Sequence, residues 1–510
     1  MFLPIISIYF LTLIVKCFRI DVEQERVIAL QLREPANKKI WKRSGNFEAT
    51  LNQQDYFYTV EVGLGTPPQN IKCIFDTGSS DLWVPAKTNP FCLGNEPSTN
   101  GTTQFYGVDI VPSLDCDSIG VFDPNLSTTF STIGYNFSTQ YFDGSYSDGY
   151  WAIDEVSISG KEVPNVQFAV ANTSNAPAGV LGAGLPNLEA VKGYDGAPNE
   201  NYDNFPQMLK NNGLIDRVLY SLFFDGVDSQ SGTVLFGGVD VEKFDENLFT
   251  LPLVNIYEQI DQPAAFDVTL QGLGIRSESN CTETVISHKM APALLDSGST
   301  IMGAPEDVVE KIAEELGAVF SESDGLYVLS CPSSSDDRTF YFDFGELKLK
   351  VPLQDLLFLP DSGQSYCGLA VIASGDEWIL GDLILKSAYI VYDLDNLEVS
   401  IGQFKASSGT SIKSIGAKGS LPKTIQSKAS SWSMNGNTNA STKSVFDQPL
   451  PKKCRQSPTK TCPAKQKTVK REVSQIVYNE PILENSSTNL RPCRLLCMIL
   501  AMFYSIIYLQ

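Results

Sequence analysis

Asp76-Thr77-Gly78-Ser79 follows the alternating run Ile71-Lys72-Cys73-Ile74-Phe75 and leads into Ser80-Asp81-Leu82-Trp83-Val84-Pro85. An acidic residue thus stands at the end of an apolar strand, in a turn of hydroxyl residues and glycine. A carboxylate buried there is costly unless hydroxyls and backbone N–H groups hold it. Four such residues alone are an ordinary turn. The chain holds a second copy: Asp296-Ser297-Gly298-Ser299-Thr300 follows Ala293-Leu294-Leu295, 220 residues after the first Asp. Each copy is followed by an apolar turn closed by glycine, Val180-Leu181-Gly182 in the first half and Ile379-Leu380-Gly381 in the second. This repetition predicts a diverged internal duplication folded as two lobes.

Two lobes can bring Asp76 and Asp296 together at their seam. Two carboxylates a few ångströms apart cannot both ionise readily, so the pair keeps one proton over a window of acidic pH. The ionised member can deprotonate a water held between them while the protonated member polarises a peptide carbonyl. Thr77 and Ser297, each directly after its Asp, are expected to tie the two turns together. Ser79 and Ser299 are placed to donate to the carboxylates, and Gly78 and Gly298 allow the tight turns.

The rest of the body reads as β. Tyr56-Phe57-Tyr58-Thr59-Val60-Glu61-Val62 is aromatic and β-branched, and Gly63, Gly65 and Pro67-Pro68 close it. Residues 86–120 form a long polar loop bracketed by Cys92 and Cys116. Tyr141-Phe142-Asp143-Gly144-Ser145 reads as a hairpin tip; it fits a lid over a cleft or an ordinary hairpin. Ala178–Gly184 is a glycine-rich turn without phosphate-loop spacing, better explained by close backbone packing. Pro305–Gly317 predicts one amphipathic helix with an acidic start and a glycine stop.

Composition narrows the function. A hydrophobic share of 43% supports a sizeable core. The net charge is −21, yet residues 406–510 hold 15 Lys and Arg against 4 Asp and Glu. An acidic body with a basic tail argues against nucleic-acid binding and suits either basic substrates or work at low pH. His288 is the single histidine, with no nucleophile motif near it, which disfavours Ser-His and Cys-His mechanisms. One His and unclustered Cys leave few metal ligands, so no metal or cofactor is expected.

The ends and the cysteines point to the secretory route. An apolar run to Val15 reads as a secretory signal over residues 1–18. A pro-segment over residues 19–43 ends at Lys42-Arg43, a dibasic site of the kind a kexin-type protease cuts. Asn100, Asn125, Asn136, Asn172, Asn280 and Asn439 lie in glycosylation sequons. Of the 11 Cys, Cys17 leaves with the signal and Cys493 and Cys497 with a processed C-terminus, so an even eight remain; the pairs expected among them are Cys92–Cys116, Cys331–Cys367 and Cys454–Cys462. Cys281 is left over, and Cys73 reads as a buried free thiol. Residues 406–484 read as a Ser/Thr/Lys-rich flexible stalk. Residues 485–510 read as a GPI-attachment signal with Asn485 as the anchor residue; the terminal apolar run is short for a membrane span.

These residues resemble the pepsin-type aspartic endopeptidases over about residues 50–405, within them the fungal yapsin and candidapepsin branch. The resemblance rests on Asp76–Pro85, Tyr141 with Asp143-Gly144-Ser145, Val180-Leu181-Gly182, Asp296–Thr300 and Ile379–Asp382. It implies an all-β bilobal fold with a few short helices, an N-terminal lobe over 44–225 and a C-terminal lobe over 226–405. It implies a flap closing over an extended peptide, with Tyr141 as the flap tyrosine, Trp83 as its partner, and Asp143, Gly144, Ser145 and Thr300 contacting substrate. Phe142 departs from the glycine common at that position. In fungal relatives an Asp at the position of Asp143 goes with acceptance of basic residues, although Asp143 also suits a plain turn. The resemblance thus implies a monomer cutting near Lys/Arg, tethered to the plasma membrane or wall glucan. A non-catalytic wall glycoprotein using the same fold is the alternative; loss of either Asp or of the turn glycines would have favoured it.

Overall fold

The computed structural model describes residues 45–451 and Cys454, apart from 55–56, 93–103, 106–107, 110–113, 142–143, 192–200, 225–230, 323–324, 359–365 and 435–443. The chain divides between Lys42 and Arg43. The expected signal, the pro-segment with Lys42-Arg43, and Asn485 lie outside the described residues.

The strand Phe57–Leu64 buries Phe57, Tyr58, Val60, Val62 and Leu64, residue types that suit a packed, pleated surface. It pairs antiparallel with Gln69–Asp76. That strand runs parallel to Gly179–Gly182, which pairs antiparallel with Leu82–Pro85, itself parallel to Lys161–Ser174. The second half repeats the plan. Asp267–Leu270 pairs antiparallel with Ala291–Leu295, which runs parallel to Trp378–Leu380. Met302–Ala304 follows antiparallel, then Val371–Ala373 parallel. Five strands in the same order with the same senses are the duplication expected from the paired motifs.

The closing glycines have a physical reason in this register. A Cβ at Gly182 would sit 2.4 Å from the Asp81 nitrogen, and one at Gly381 would sit 2.5 Å from the Ser299 carbonyl oxygen. Only a residue without a side chain lets the backbones approach so closely.

One fourteen-stranded sheet joins the halves. Phe47–Gln54 pairs with Ser231–Phe236, and Leu219–Phe224 pairs with both Ser231–Phe236 and Ala388–Asp393. The expected division at 225/226 therefore falls between two paired strands of this shared sheet, Leu219–Phe224 and Ser231–Phe236. Its centre is aromatic: Tyr220 stacks on Tyr392 at 5.1 Å, and Phe75 meets Tyr220 edge-on at 5.6 Å. Helices are few among the described residues. The longest, Glu306–Leu316, buries Val308, Val309, Ile312, Ala313 and Leu316 and stops at Gly317 in the left-handed conformation, φ 68°.

Cys92–Cys116 and Cys331–Cys367 form as expected, and Cys73 is free and buried. Cys454 instead pairs with Cys281, which replaces the expected Cys454–Cys462 bridge; Cys462 lies outside the described residues. Proximity in sequence misled here, because the chain returns to the C-terminal lobe before reaching Cys454. Ile412–Ser414 adds antiparallel to Gly238–Asp240, and Thr424–Gln426 adds parallel to Leu248–Pro252. The Trp432 N–H donates to Thr269 Oγ1 at 2.8 Å. Val445 and Phe446 are buried against Tyr341. A flexible stalk starting at 406 is thus corrected: the chain stays on the lobe to Met434 and again at Ser444–Pro451. These segments dock by backbone pairing to short strands and by single side chains, neither of which leaves a periodic signature.

Candidate active site

Asp76 ends the strand Gln69–Asp76, and Asp296 directly follows Ala291–Leu295. The Asp296 N–H still donates to the Leu380 carbonyl at 3.1 Å, so the ladder reaches the turn. Asp76 and Asp296 are 5% and 8% exposed. Each is held in the same way. Gly78 and Gly298 donate backbone N–H groups to Oδ1 of Asp76 and Asp296, at 2.7 and 2.8 Å. Ser79 and Ser299 donate Oγ–H to Oδ2, at 2.5 and 2.6 Å. A Cβ at Gly78 would lie 2.5 Å from Asp296 Oδ1, and one at Gly298 would lie 2.3 Å from Asp76 Oδ1. Each turn glycine therefore makes room for the opposite carboxylate.

The turns are bound to one another across the seam. Thr77 Oγ1 donates to the Leu295 carbonyl at 2.8 Å, and Ser297 Oγ donates to the Phe75 carbonyl at 2.7 Å. The same oxygens accept the backbone N–H of Ser297, at 2.9 Å, and of Thr77, at 3.2 Å. Four buried bonds related by the duplication fix the spacing of the carboxylates. Tyr392 Oη also donates to the Leu295 carbonyl, at 3.4 Å.

Electrostatics follow from the geometry. Burial, then the charge of Asp296, pushes the Asp76 carboxyl well above the ordinary carboxylate range, against the Ser79 and Gly78 bonds. One proton thus stays on the pair at acidic pH.

The stretch expected to form a flap is a hairpin of Ser131–Gln140 and Tyr146–Ile158, with Gln140 opposite Tyr146. Tyr141 N–H donates to the Ser145 carbonyl at 2.8 Å, and Gly144, at φ 78°, donates to the Tyr141 carbonyl at 2.9 Å. Trp83 Nε1–H donates to Tyr141 Oη at 2.5 Å. This pins the turn end of the hairpin to the strand Leu82–Pro85, two strands from Asp76. Thr300 is buried after the second dyad turn, its carbonyl accepting from Leu383 N–H at 3.1 Å. Asp143 and Phe142 lie outside the described residues. Asn125, Asn136, Asn172 and Asn280 are exposed; Asn100 and Asn439 lie outside.

One site residue was quoted in a motif without being given a role. Asp382 is 2% exposed, neither carboxylate oxygen has a hydrogen-bond partner among the described residues, and its N–H donates to the Ser299 carbonyl at 2.7 Å. Burial raises its carboxyl well above the usual range; Lys386 opposes this, while Asp296 and Asp76 reinforce it. The sequence signal was the asymmetry of the repeats: Ala183 follows Gly182, but Asp382 follows Gly381.

Water activated between two carboxylates that share a proton needs no nucleophilic side chain. That is the chemistry of the aspartic endopeptidases, and the bilobal β fold with this dyad places the chain among them. It belongs to the eukaryotic aspartyl protease family, whose model matches residues 57–404. It is 41% identical to barrierpepsin of Saccharomyces cerevisiae over 400 residues, covering 77% of this chain and 68% of that one. It is 39% identical to aspartic proteinase yapsin-3 of the same yeast, covering 78% and 76%. It is 30% identical to secreted aspartic protease 9 of Candida albicans, covering 79% and 87%.

Proposed function

We propose that this peptidase is secreted, tethered outside the cell, and favours peptide bonds at or near Lys and Arg in cell-surface or wall proteins. The observation that carries the reading is a complete dyad in a chain of net charge −21 whose basic residues concentrate after residue 406. An acidic body raises the local concentration of basic peptides. Asp143, in the stretch whose sequence reads as a hairpin tip, is the residue expected to meet the basic side chain. The secretory part is supported by the apolar N-terminus, by exposed sequons and by three disulfides, which persist in oxidising compartments. A relative named as a secreted protease agrees. Maturation runs through cleavage after Lys42-Arg43 by a kexin-type protease. Attachment runs through a GPI anchor at Asn485, in the membrane or transferred to wall glucan.

The test is a peptide-library profile on the mature protein at acidic pH. Pepstatin should block cleavage, and Lys or Arg should be enriched at a position flanking the cut and weakened there in Asp143→Ala. A flat profile overturns the basic preference. Release of the protein from cells by a phosphatidylinositol-specific phospholipase, or its retention on wall glucan, supports the anchor. Free secretion of the full-length chain rejects it.

A further inference from the structure

Asp267 opens the strand Asp267–Leu270, directly opposite Leu294. Leu294 is in turn opposite Ile379. Side chains alternate along a strand, so Leu294 and Asp296, two residues apart, share one face. Asp267, Leu294 and Ile379 stand in a row on that face. The Asp267 backbone is therefore one strand over and two residues back from that of Asp296, roughly 8 Å by sheet spacings.

Among the described residues, no cation figures in the surroundings that act on Asp267. The residue is 5% exposed, and no hydrogen bond stands among the influences that raise its carboxyl, which are burial and a neighbouring acid. The neighbouring charge that acts on it is a second acid, Glu377, half-buried before the strand Trp378–Leu380. The Tyr257 hydroxyl oxygen is buried without a partner among the described residues, and both carboxylates act on it. No described Lys or Arg figures among the groups that act on either carboxylate. Unpaired buried acids are costly, and nothing in the fold demands these. The other lobe shows this directly. Ile74 corresponds to Leu294 and Val180 to Ile379, so Thr59, opposite Ile74, corresponds to Asp267. Thr59 is neutral, and its hydroxyl donates to the Asn52 carbonyl at 3.3 Å.

We propose that Asp267, with Glu377 and the Tyr257 hydroxyl, forms a subsite on the Asp296 side of the cleft that takes a basic side chain of the bound peptide. An ammonium or guanidinium group supplies the donors these three oxygen-bearing groups lack, and its charge offsets the burial of the carboxylates. The proposal rests on the endopeptidase reading with basic preference, and it adds a second seat for that preference besides Asp143.

The experiment is steady-state cleavage of a peptide series in which Lys replaces norleucine at one position at a time on both sides of the cut. The kcat/KM ratio of the Lys to the norleucine peptide is compared between the unaltered protein, Asp267→Asn and Asp267→Thr. At one position the ratio is expected to fall about tenfold in both variants, the scale of a charge-assisted hydrogen bond. Glu377→Gln should lower it at the same position by less. The Thr variant carries the residue the other lobe uses, so a folding defect confined to Asn does not stop the test. A Lys preference that survives in both variants overturns the subsite and leaves the basic-preference reading standing. Ratios near one at every position in the unaltered protein remove both.

Discussion

At the residue scale, the site depends on symmetry of support and asymmetry of charge. Thr77 and Ser297 each bridge to the opposite strand, so their loss acts on the spacing of the carboxylates rather than on their chemistry. Thr77→Ala removes one donor and leaves the Ser297 N–H unpaired in a buried place; thermal unfolding should show a loss of about 1–3 kcal/mol. Asp76→Asn keeps the shape but removes one of the two carboxyls whose shared proton the proposed water activation needs. Peptide hydrolysis at acidic pH should fall about 10³-fold with no fall in melting temperature. A variant that still cuts would overturn the dyad mechanism. The placement of Asp76 and the hydrogen bonds of Thr77 and Ser79 were legible in the sequence because each lies within or directly across a repeated turn. The isolation of Asp267 and Asp382 was not, because it comes from what surrounds them in space.

At the element scale, the five-strand repeat was legible through its punctuation: two acidic turns and two glycine turns at matching places. The helix Glu306–Leu316 was legible through its period and its glycine stop. The C-terminal extension was not, because Ile412–Ser414 holds by backbone pairing to Gly238–Asp240 and Thr424–Gln426 by pairing to the edge of the large sheet. The extension is also clamped at one point. Arg276, buried, packs over the Tyr341 and Phe446 rings at 5.1 and 4.5 Å, and pairs with Glu283. Beyond it, the Cys281–Cys454 bridge closes a separation of 173 residues. Loops that long give a disulfide large leverage over the unfolded chain, so Cys454→Ser should cost about 2–4 kcal/mol of stability. Calorimetry of the variant against the unaltered protein checks this; an unchanged transition would mean that the extension is held by Arg276 and the edge strands alone. The flap offers a milder case. Tyr141→Phe removes the bond from Trp83 Nε1 while keeping the ring, and kcat/KM should fall, by about tenfold at most.

At the scale of the whole molecule, buried acids set a pH window for the fold. Asp81 and Asp267 have carboxyls pushed up to about 6 and about 7, and those of Asp76 and Asp382 are also raised, in each case chiefly by burial. A raised carboxyl pKa means that the folded chain holds protons which the unfolded chain releases above about pH 4. Stability from these groups is therefore complete below that pH and is lost as pH rises through about 6 to 7. The opposite shift occurs on the surface. Hydrogen bonds from Ser277 and Ser279 lower Asp337 to about 2, so its contribution is lost only as pH falls toward that value. The melting temperature should peak near pH 4 and decline toward neutrality. Mutual repulsion in a chain of net charge −21 also grows as carboxylates ionise, and it predicts the same direction. Salt separates the two causes, because it screens exposed charges but not the ionisation of a buried group. If burial dominates, the decline persists at high ionic strength and becomes shallower in Asp267→Thr, which installs the neutral residue of the other lobe. A decline abolished by salt and unaltered by that substitution would assign the window to surface repulsion.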